Sequence, residues 1–325
     1  MLNSRSMILA AVALAMHQAP TVQAQPFPAK VVRIVNAQGP GTLDAISRGY
    51  AQELSKYWGQ PVIVEARAGA GSIVAAEAIA KSPPDGYNIL VSSSAAYTIN
   101  PWITRNMPYD PERDLAPVFG IGRTSTVISA PGSLAAKNVQ EFAALARAKP
   151  GGMNYGSAGI GSATHLQMEI FLRDIGGLKL VHVPYKGIAD IVRGMLSGEI
   201  HLGPTLAQLT VGPAKTGQIR PLAIVGNQRE RDFPDTPTLR EAGFPNASGS
   251  IIWFGFALPI KTPQAIVEKF AVDLRRASDE PAQKKILDAI NWDMMLSGPR
   301  EFGELWRVER ALVGRVVQEV GIKPE

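Results

Sequence analysis

The chain has 325 residues, 46% of them apolar and 19% charged, with a formal net charge of +5 and no cysteine. That length and apolar content can bury a substantial core and favour two domains over one. The missing cysteines exclude disulfides, thiolate metal sites and a lipidated N-terminus, and the basic residues form no run, which argues against nucleic-acid binding.

Residues 1–24 have the three parts of a secretory signal peptide: Arg5, the apolar stretch Met7–Met16, and the small-residue site Val22-Gln23-Ala24. The apolar stretch is too short to anchor the chain across a bilayer. Cleavage after Ala24 would leave 32 basic against 28 acidic residues. No other stretch has the apolar length of a membrane span, so the mature chain is expected to be periplasmic and not membrane-embedded.

From Val31 the sequence alternates strand and helix patterns, which calls for sheets with helical crossovers. Val31–Val35 reads as a strand, Gly39-Pro40-Gly41-Thr42-Leu43-Asp44 as a turn, and Ala45–Tyr57 as an amphipathic helix. Val62–Glu65, a second glycine turn at Gly69–Gly71, and a helix through Ala75–Ala80 repeat the plan. Pro83-Pro84-Asp85-Gly86 stops that helix before the strand Tyr87–Val91. Ser92, Ser93 and Ser94 follow at the carboxyl end of this strand, where open α/β sheets bind ligands or where a serine caps a helix. Val118–Gly122 and Thr126–Ser129 read as extended chain crossing to a second unit.

In that unit Asn138 and Glu141 form a capping-box pattern for a helix running to Lys149. The turn Ser157-Ala158-Gly159-Ile160-Gly161-Ser162-Ala163-Thr164-His165 then joins a short strand to a helix. Backbone N–H groups and hydroxyls around a helix start suit an anion; a tight turn whose glycines serve only geometry is the alternative. Lys179–Val183 is a strand with Tyr185 just past its end, and Asp190–Leu196 a helix. Ile200–Gly203 is a short strand followed by Thr205, a helix cap or a ligand contact. After the strand Leu222–Val225 the chain recrosses, and Ser250–Leu258 is an aromatic-rich strand in which Trp253 and Phe254 form an aromatic wall or core packing. Thr262-Pro263, Glu280-Pro281 and Gly298-Pro299 open three helices, so the tail is expected to be mainly helical.

The glycine turns lack the third glycine of a dinucleotide fingerprint, which is Asp44, Val74 or Thr164 here, and none has the lysine of a phosphate-binding Walker loop. His165, His182 and His201 have no metal-ligand spacing, so no metal and no cofactor is expected. A secreted α/β hydrolase using Ser157, with His165 or His182 as base, is the alternative from another class. Its weakness is Tyr155 in place of the first glycine of a nucleophile elbow and the absence of a signal for the orienting acid.

Several motifs resemble the Bug-type receptors of tripartite tricarboxylate transporters. They are Arg33-Ile34-Val35, Gln60–Glu65, Gly69-Ala70-Gly71, Pro84-Asp85-Gly86-Tyr87, Asn154–Gly159 and His182–Gly187, together with the closing region from Ala311. The resemblance covers nearly the whole mature chain. It implies a type II-like periplasmic-binding-protein fold of two α/β lobes with mixed, mainly parallel sheets, lobe I being 25–122 plus 228–325 and lobe II 123–227. It further implies a small carboxylate held in the cleft for delivery to membrane transporter subunits. Gly39, Pro40, Gly41, Thr42 and Asp44 of the first turn, and Ser157, Gly161, Ser162, Thr164 and His165 of the other, are then the expected ligand residues, with Ser93, Ser94, Tyr185 and Thr205. Two departures bear on ligand choice. The family's first turn usually reads Pro-Phe-x-Pro-Gly-Gly-x-x-Asp, of which the aspartate is kept here, and Thr205 stands where the family commonly has an aspartate.

Overall fold

The computed structural model describes residues 27–244, 252–290 and 292–324. The expected signal peptide and the first two residues of the expected strand 250–258 lie outside the described residues. Strand β1 (Val32–Asn36), helix α1 (Thr42–Trp58), strand β2 (Val62–Ala66), helix α2 (Ile73–Ala80) and strand β3 (Asn88–Ser93) realise the alternation read from the sequence. The three strands pair in parallel, with Ile34 beside Val64 on one flank and Ile89 on the other. Helix α1 starts three residues before the expected Ala45, because Gly41 takes a φ of 154° and turns the chain into the helix at Thr42.

After β3 a single π-helical turn, Ala95–Ile99, leads through α3 (Asn100–Ile103) and α4 (Pro111–Asp114) to β4 (Leu115–Arg123). The chain then builds the second unit: β5 (Thr126–Pro131), α5 (Val139–Ala148), β6 (Asn154–Ser157), α6 (Ala163–Asp174), β7 (Val181–Pro184), α7 (Ile188–Ser197), β8 (Gly203–Thr205), α8 (Ala207–Lys215) and β9 (Ile219–Val225). Asn138 caps α5 as expected: its Oδ1 accepts from the Glu141 N–H at 2.8 Å, while Glu141 accepts from the Lys137 N–H at 2.8 Å. The short strand lies later than the expected Ile200–Gly203. Residues 201 and 202 instead bond to β6, the His201 N–H donating to the Asn154 carbonyl and the Gly156 N–H to the Leu202 carbonyl.

The chain returns through β10 (Trp253–Pro259), α9 (Gln264–Asp279), α10 (Pro281–Ala289), β11 (Asp293–Ser297) and α11 (Pro299–Val320). The first unit thereby gains a six-stranded sheet in the order β11-β4-β10-β3-β1-β2. In the second unit β5 pairs antiparallel with β8 and β9, and β6 pairs in parallel with β7. The sheets are mixed, with parallel pairing confined to β1–β3 and β6–β7. Strand β10 runs antiparallel to both β3 and β4, because it re-enters the sheet from the end at which β4 leaves it.

The tail is mainly helical, as expected, and strand β11 is the element in it that the sequence pattern does not signal. Its pairing with β4 is broken by a register shift, and Leu296 has a φ of 43°. The strand is held by the edge of β4, which the local pattern does not reveal. Pro263 rather than Thr262 takes the cap position of α9, and the Thr262 hydroxyl is buried without a partner.

Tyr50 of α1 packs edge-on against Phe256 at 5.4 Å on one face of the six-stranded sheet, and Tyr97 stacks on Trp253 at 5.5 Å on the other. Phe142, Tyr155 and Phe171 centre the core of the second unit. A further cluster joins the units, with Leu166 and Ile170 of α6 against Val313, Val316 and Val317 of α11.

The two crossings lie side by side. Arg123, the last residue of β4, is the register partner of Trp253, the first of β10. Both reach Glu309 of α11: the Arg123 guanidinium at 3.0 Å and the Trp253 indole N–H as a donor. The carboxylate is buried, so removing it takes away an acceptor shared by the buried Trp253 indole and the partly buried Arg123 guanidinium. We expect Glu309→Ala to lower stability by roughly 3 kcal/mol or more, read by urea unfolding. A loss below about 0.5 kcal/mol, the size of an ordinary surface change, would show that the crossing does not depend on this residue.

Candidate functional site

Where the two units meet there is a cavity of about 600 Å³. Gln38 and Thr42, from the turn into α1, line it on the first unit; Leu206, Ala207 and Gln208, at the start of α8, line it on the second. The crossing residues Thr124 and Ser125 also line it. Neither helix has a side-chain cap at its start, which is Gly41 in α1 and Leu206 in α8. A glycine and a leucine offer no side-chain oxygen to the first-turn N–H groups; in α8 the Leu209 N–H bonds to the Leu206 carbonyl at 3.0 Å, and the positive end of each helix dipole remains at the start. Two such helix starts, one from each unit, line this one cavity.

Polar side chains modulate that field. Asp44, in the first turn of α1, is paired with Arg48 at 2.8 Å, so its charge is partly offset within the helix. Glu230, Arg231 and Asp232 line the same cavity. Glu230 accepts from the Ser125 hydroxyl, and Arg231 donates to the Asp288 carbonyl at 2.9 Å. Gly39 is half-buried and Pro40 exposed in the same turn as Thr42.

The second turn is packed against itself. Ser162 caps α6, its Oγ accepting from the His165 N–H at 3.2 Å. Thr164 Oγ1 accepts from the Ala158 N–H at 2.9 Å, and His165 Nδ1 from the Gly161 N–H at 3.0 Å. Ser157, Thr164 and His165 are buried. Gly161 lines another cavity, of about 430 Å³, with Ala70, Gly71, Asn100 and Ile103 from the first unit. The glycine turn Gly69–Gly71, not the Gly39–Thr42 turn, is thus the one that shares a cavity with Gly161 there.

Thr205 is fully buried at the end of β8. Its hydroxyl donates to the Val127 carbonyl at 3.0 Å, accepts from Thr210 Oγ1 at 2.7 Å, and lies 3.0 Å from Ser129 Oγ. It neither caps α8 nor has a free hydroxyl; it fixes the strand from which α8 departs. The Tyr185 ring packs on Gly156 and Gly194. Ser93 and Ser94 are buried at the end of β3, and the Ser94 hydroxyl has no hydrogen-bond partner.

Ser157 Oγ lies 2.7 Å from His182 Nε2, so the fold brings together the serine and one of the two histidines a hydrolase would need. The rest of the arrangement differs from a serine–histidine–acid triad. Ser157 has no exposed surface. The His182 ring stacks on His165, at 3.9 Å, and lies against Tyr155, at 4.9 Å. The carboxylate of this cluster, Glu169, accepts from the Tyr155 hydroxyl and lies 3.9 Å from His165 Nε2, so it does not orient His182.

Burial, with His182 alongside, pushes the His165 imidazole down to about 4, and burial lowers that of His182 as well. Both groups bind fewer protons folded than unfolded, so the stability they allow is complete above the ordinary histidine range and is lost as pH falls towards 4. We expect the melting temperature to drop between pH 7 and pH 4 and the drop to shrink in the His165→Gln/His182→Gln double variant. An unchanged pH slope in that variant would overturn the assignment.

Leu206, Ala207 and Gln208 escaped sequence reasoning, which looks for polar residues at helix starts; the signal was a helix opening on a residue that cannot cap it. Trp253 and Phe254 are neighbours in one aromatic run, and the structure separates their roles. Trp253 is fully buried against Tyr97, while Phe254 lines the cavity.

Two mixed α/β units with a cleft between them and helix starts facing into it define the class of two-lobed solute-binding proteins. The profile of the tripartite tricarboxylate transporter family receptor, TctC, matches residues 46–322, and the chain belongs to that family. A UPF0065 protein of Bordetella pertussis is 32% identical over 318 residues, covering 98% of this chain and 97% of its own length. The structure of R. palustris Rpa4515 with adipate is 29% identical with a TM-score of 0.73, covering 92% of this chain and 100% of that one. MatC from Rhodopseudomonas palustris with bound malate is 25% identical with a TM-score of 0.67, covering 90% and 100%.

Proposed function

We propose that this protein is a periplasmic receptor that captures a small organic carboxylate between two lobes and delivers it to the membrane subunits of a tripartite tricarboxylate-type transporter. The observation that carries the reading is the pair of helix starts without side-chain caps, α1 and α8, lining one cavity from the two units. A carboxylate there accepts charge-assisted hydrogen bonds from main-chain donors already oriented by the helices. Adipate and malate in the two related structures are ligands of this chemistry. The signal-like residues 1–24 support export, and among the described residues no helix is long and apolar enough to cross a membrane.

In this reading the lobes are the six-stranded unit and the β5–β9 unit, hinged at 124–125 and at the return into β10. Gly39, Pro40, Gly41 and Thr42 form one half of the grip, with Asp44 setting its charge, and Leu206–Gln208 form the other, held by Thr205. The Ser157–His165 turn, with Tyr185, is a packed support that reaches the lobe boundary through Gly161, and Ser93 and Ser94 support the floor of the first lobe. Binding rather than catalysis is supported by the burial of Ser157 and the absence of an acid on His182 in its cluster.

Small mono- and dicarboxylates, malate and adipate among them, are tested separately by thermal shift and titration calorimetry, and at least one is expected to raise the melting temperature. Gln208→Glu and Thr42→Glu should each weaken binding about tenfold, because a fixed carboxylate then competes for the same helix end. Acids are favourable in a first helical turn, so folding should survive both changes. Binding that is unchanged in both variants would sink the site, and no stabilisation by any carboxylate would sink the function.

A further inference from the structure

The cavity between the lobes is larger than a four-carbon acid requires. At about 600 Å³ it falls in the roughly 300–1,000 Å³ range of sites for drug-sized ligands. Its wall on the first lobe carries Ile290 and two aromatic rings, Phe254 and Trp292, which stack 4.5 Å apart with 11° between their planes. Phe254 is the second residue of β10, and Trp292 immediately precedes β11, so the rings come from the two strands that flank β4. The β4 partner of Phe254 is Gly122, and directly opposed residues share a sheet face, so β4 adds no side chain on that face there. The stacked faces cover each other and Phe254 retains only 7% exposure, so the half-buried Trp292 offers the aromatic surface to the cavity, with Phe254 as its backing.

This planar wall lies in the same cavity as Thr42 and Gln208, which mark the two helix starts. One cavity therefore presents an anion grip and an aromatic surface, a pairing that suits a molecule with a carboxylate at one end and a flat apolar body at the other. Glu230 and Asp232, against the single cation Arg231, give the rest of the lining an acidic balance that disfavours a second carboxylate. Accepting the carboxylate-receptor reading, we propose that the ligand class is an arenecarboxylate, its carboxylate at the starts of α1 and α8 and its ring against Trp292, backed by Phe254.

Benzoate and cyclohexanecarboxylate have the same charge and nearly the same size, and only benzoate is planar and aromatic. Titration calorimetry on the mature protein should show benzoate binding roughly fivefold more tightly, the preference that aromatic stacking confers. Trp292→Leu should bring the ratio close to one, and Trp292→Phe, which keeps a ring, should retain the preference. Benzoate should also quench tryptophan fluorescence in the wild type and much less in Trp292→Phe, which tests the contact even if the leucine variant fails to fold. Equal binding of the two acids by the wild type, a ratio unchanged in folded Trp292→Leu, or quenching unchanged in Trp292→Phe would overturn the proposal. Adipate or malate binding without a benzoate preference rejects this inference alone; no binding of any of the four acids rejects the receptor reading with it.

Discussion

Glu309 is the tie on which the two-unit arrangement depends. Two strands pass between the units side by side, and the last residue of one and the first of the other both end on this buried carboxylate. The Thr124 N–H bonds to the Ile252 carbonyl just beyond them, so the ladder extends into the crossing itself. Paired crossings fastened to one long helix restrict the relative motion of the units to bending beyond Arg123 and Trp253. That restriction keeps the helix starts of α1 and α8 facing one cavity. Helix α11 strengthens the constraint, because its far end packs Val313, Val316 and Val317 against α6 of the other unit.

The chemistry at the cleft follows from what that frame leaves unpaired. Helix starts are normally satisfied by serine, threonine, aspartate or asparagine, as Asn138 does for α5 and Ser162 for α6. Helices α1 and α8 begin on glycine and leucine; α7, α9, α10 and α11 also begin without a side-chain cap, and what sets α1 and α8 apart is that their starts line one cavity, whose contents can take the remaining donors. The Ser157–His165 turn shows the converse. It has every residue type an anion site uses, yet its hydroxyls and imidazoles are consumed by one another, and its stacked rings give the second unit a stiff wall.

The fold was largely legible in the sequence. Val31–Val35, Val62–Glu65 and Tyr87–Val91 have the apolar runs of buried strands, and the proline and glycine punctuation at Pro83–Gly86 and Gly298-Pro299 marked helix ends close to where they fall. Strand β11 was not legible, because Asp293–Ser297 forms a strand only by pairing with the edge of β4. The candidate site was half legible. Gly39–Thr42 stood out by its glycines, but Leu206–Gln208 stood out by nothing, since an absent cap matters only once the helix start is seen to face a cleft.

What the sequence determined by itself was the class of the protein: strand and helix periodicities, a carried family pattern from Arg33 to the tail, and no cysteine or metal spacing to suggest other chemistry. Those properties are local, fixed by residues within a turn or two of each other. Which turns work together was decided by tertiary structure alone. The sequence offered Gly39–Thr42 and Ser157–Thr164 as partners because both look like cradles. In the packed chain Thr42 and Gln208 line one cavity, and Gly161 and Gly71 line another. Such pairings depend on strand order and on where two crossing strands enter the sheet, and no stretch of residues encodes these by itself.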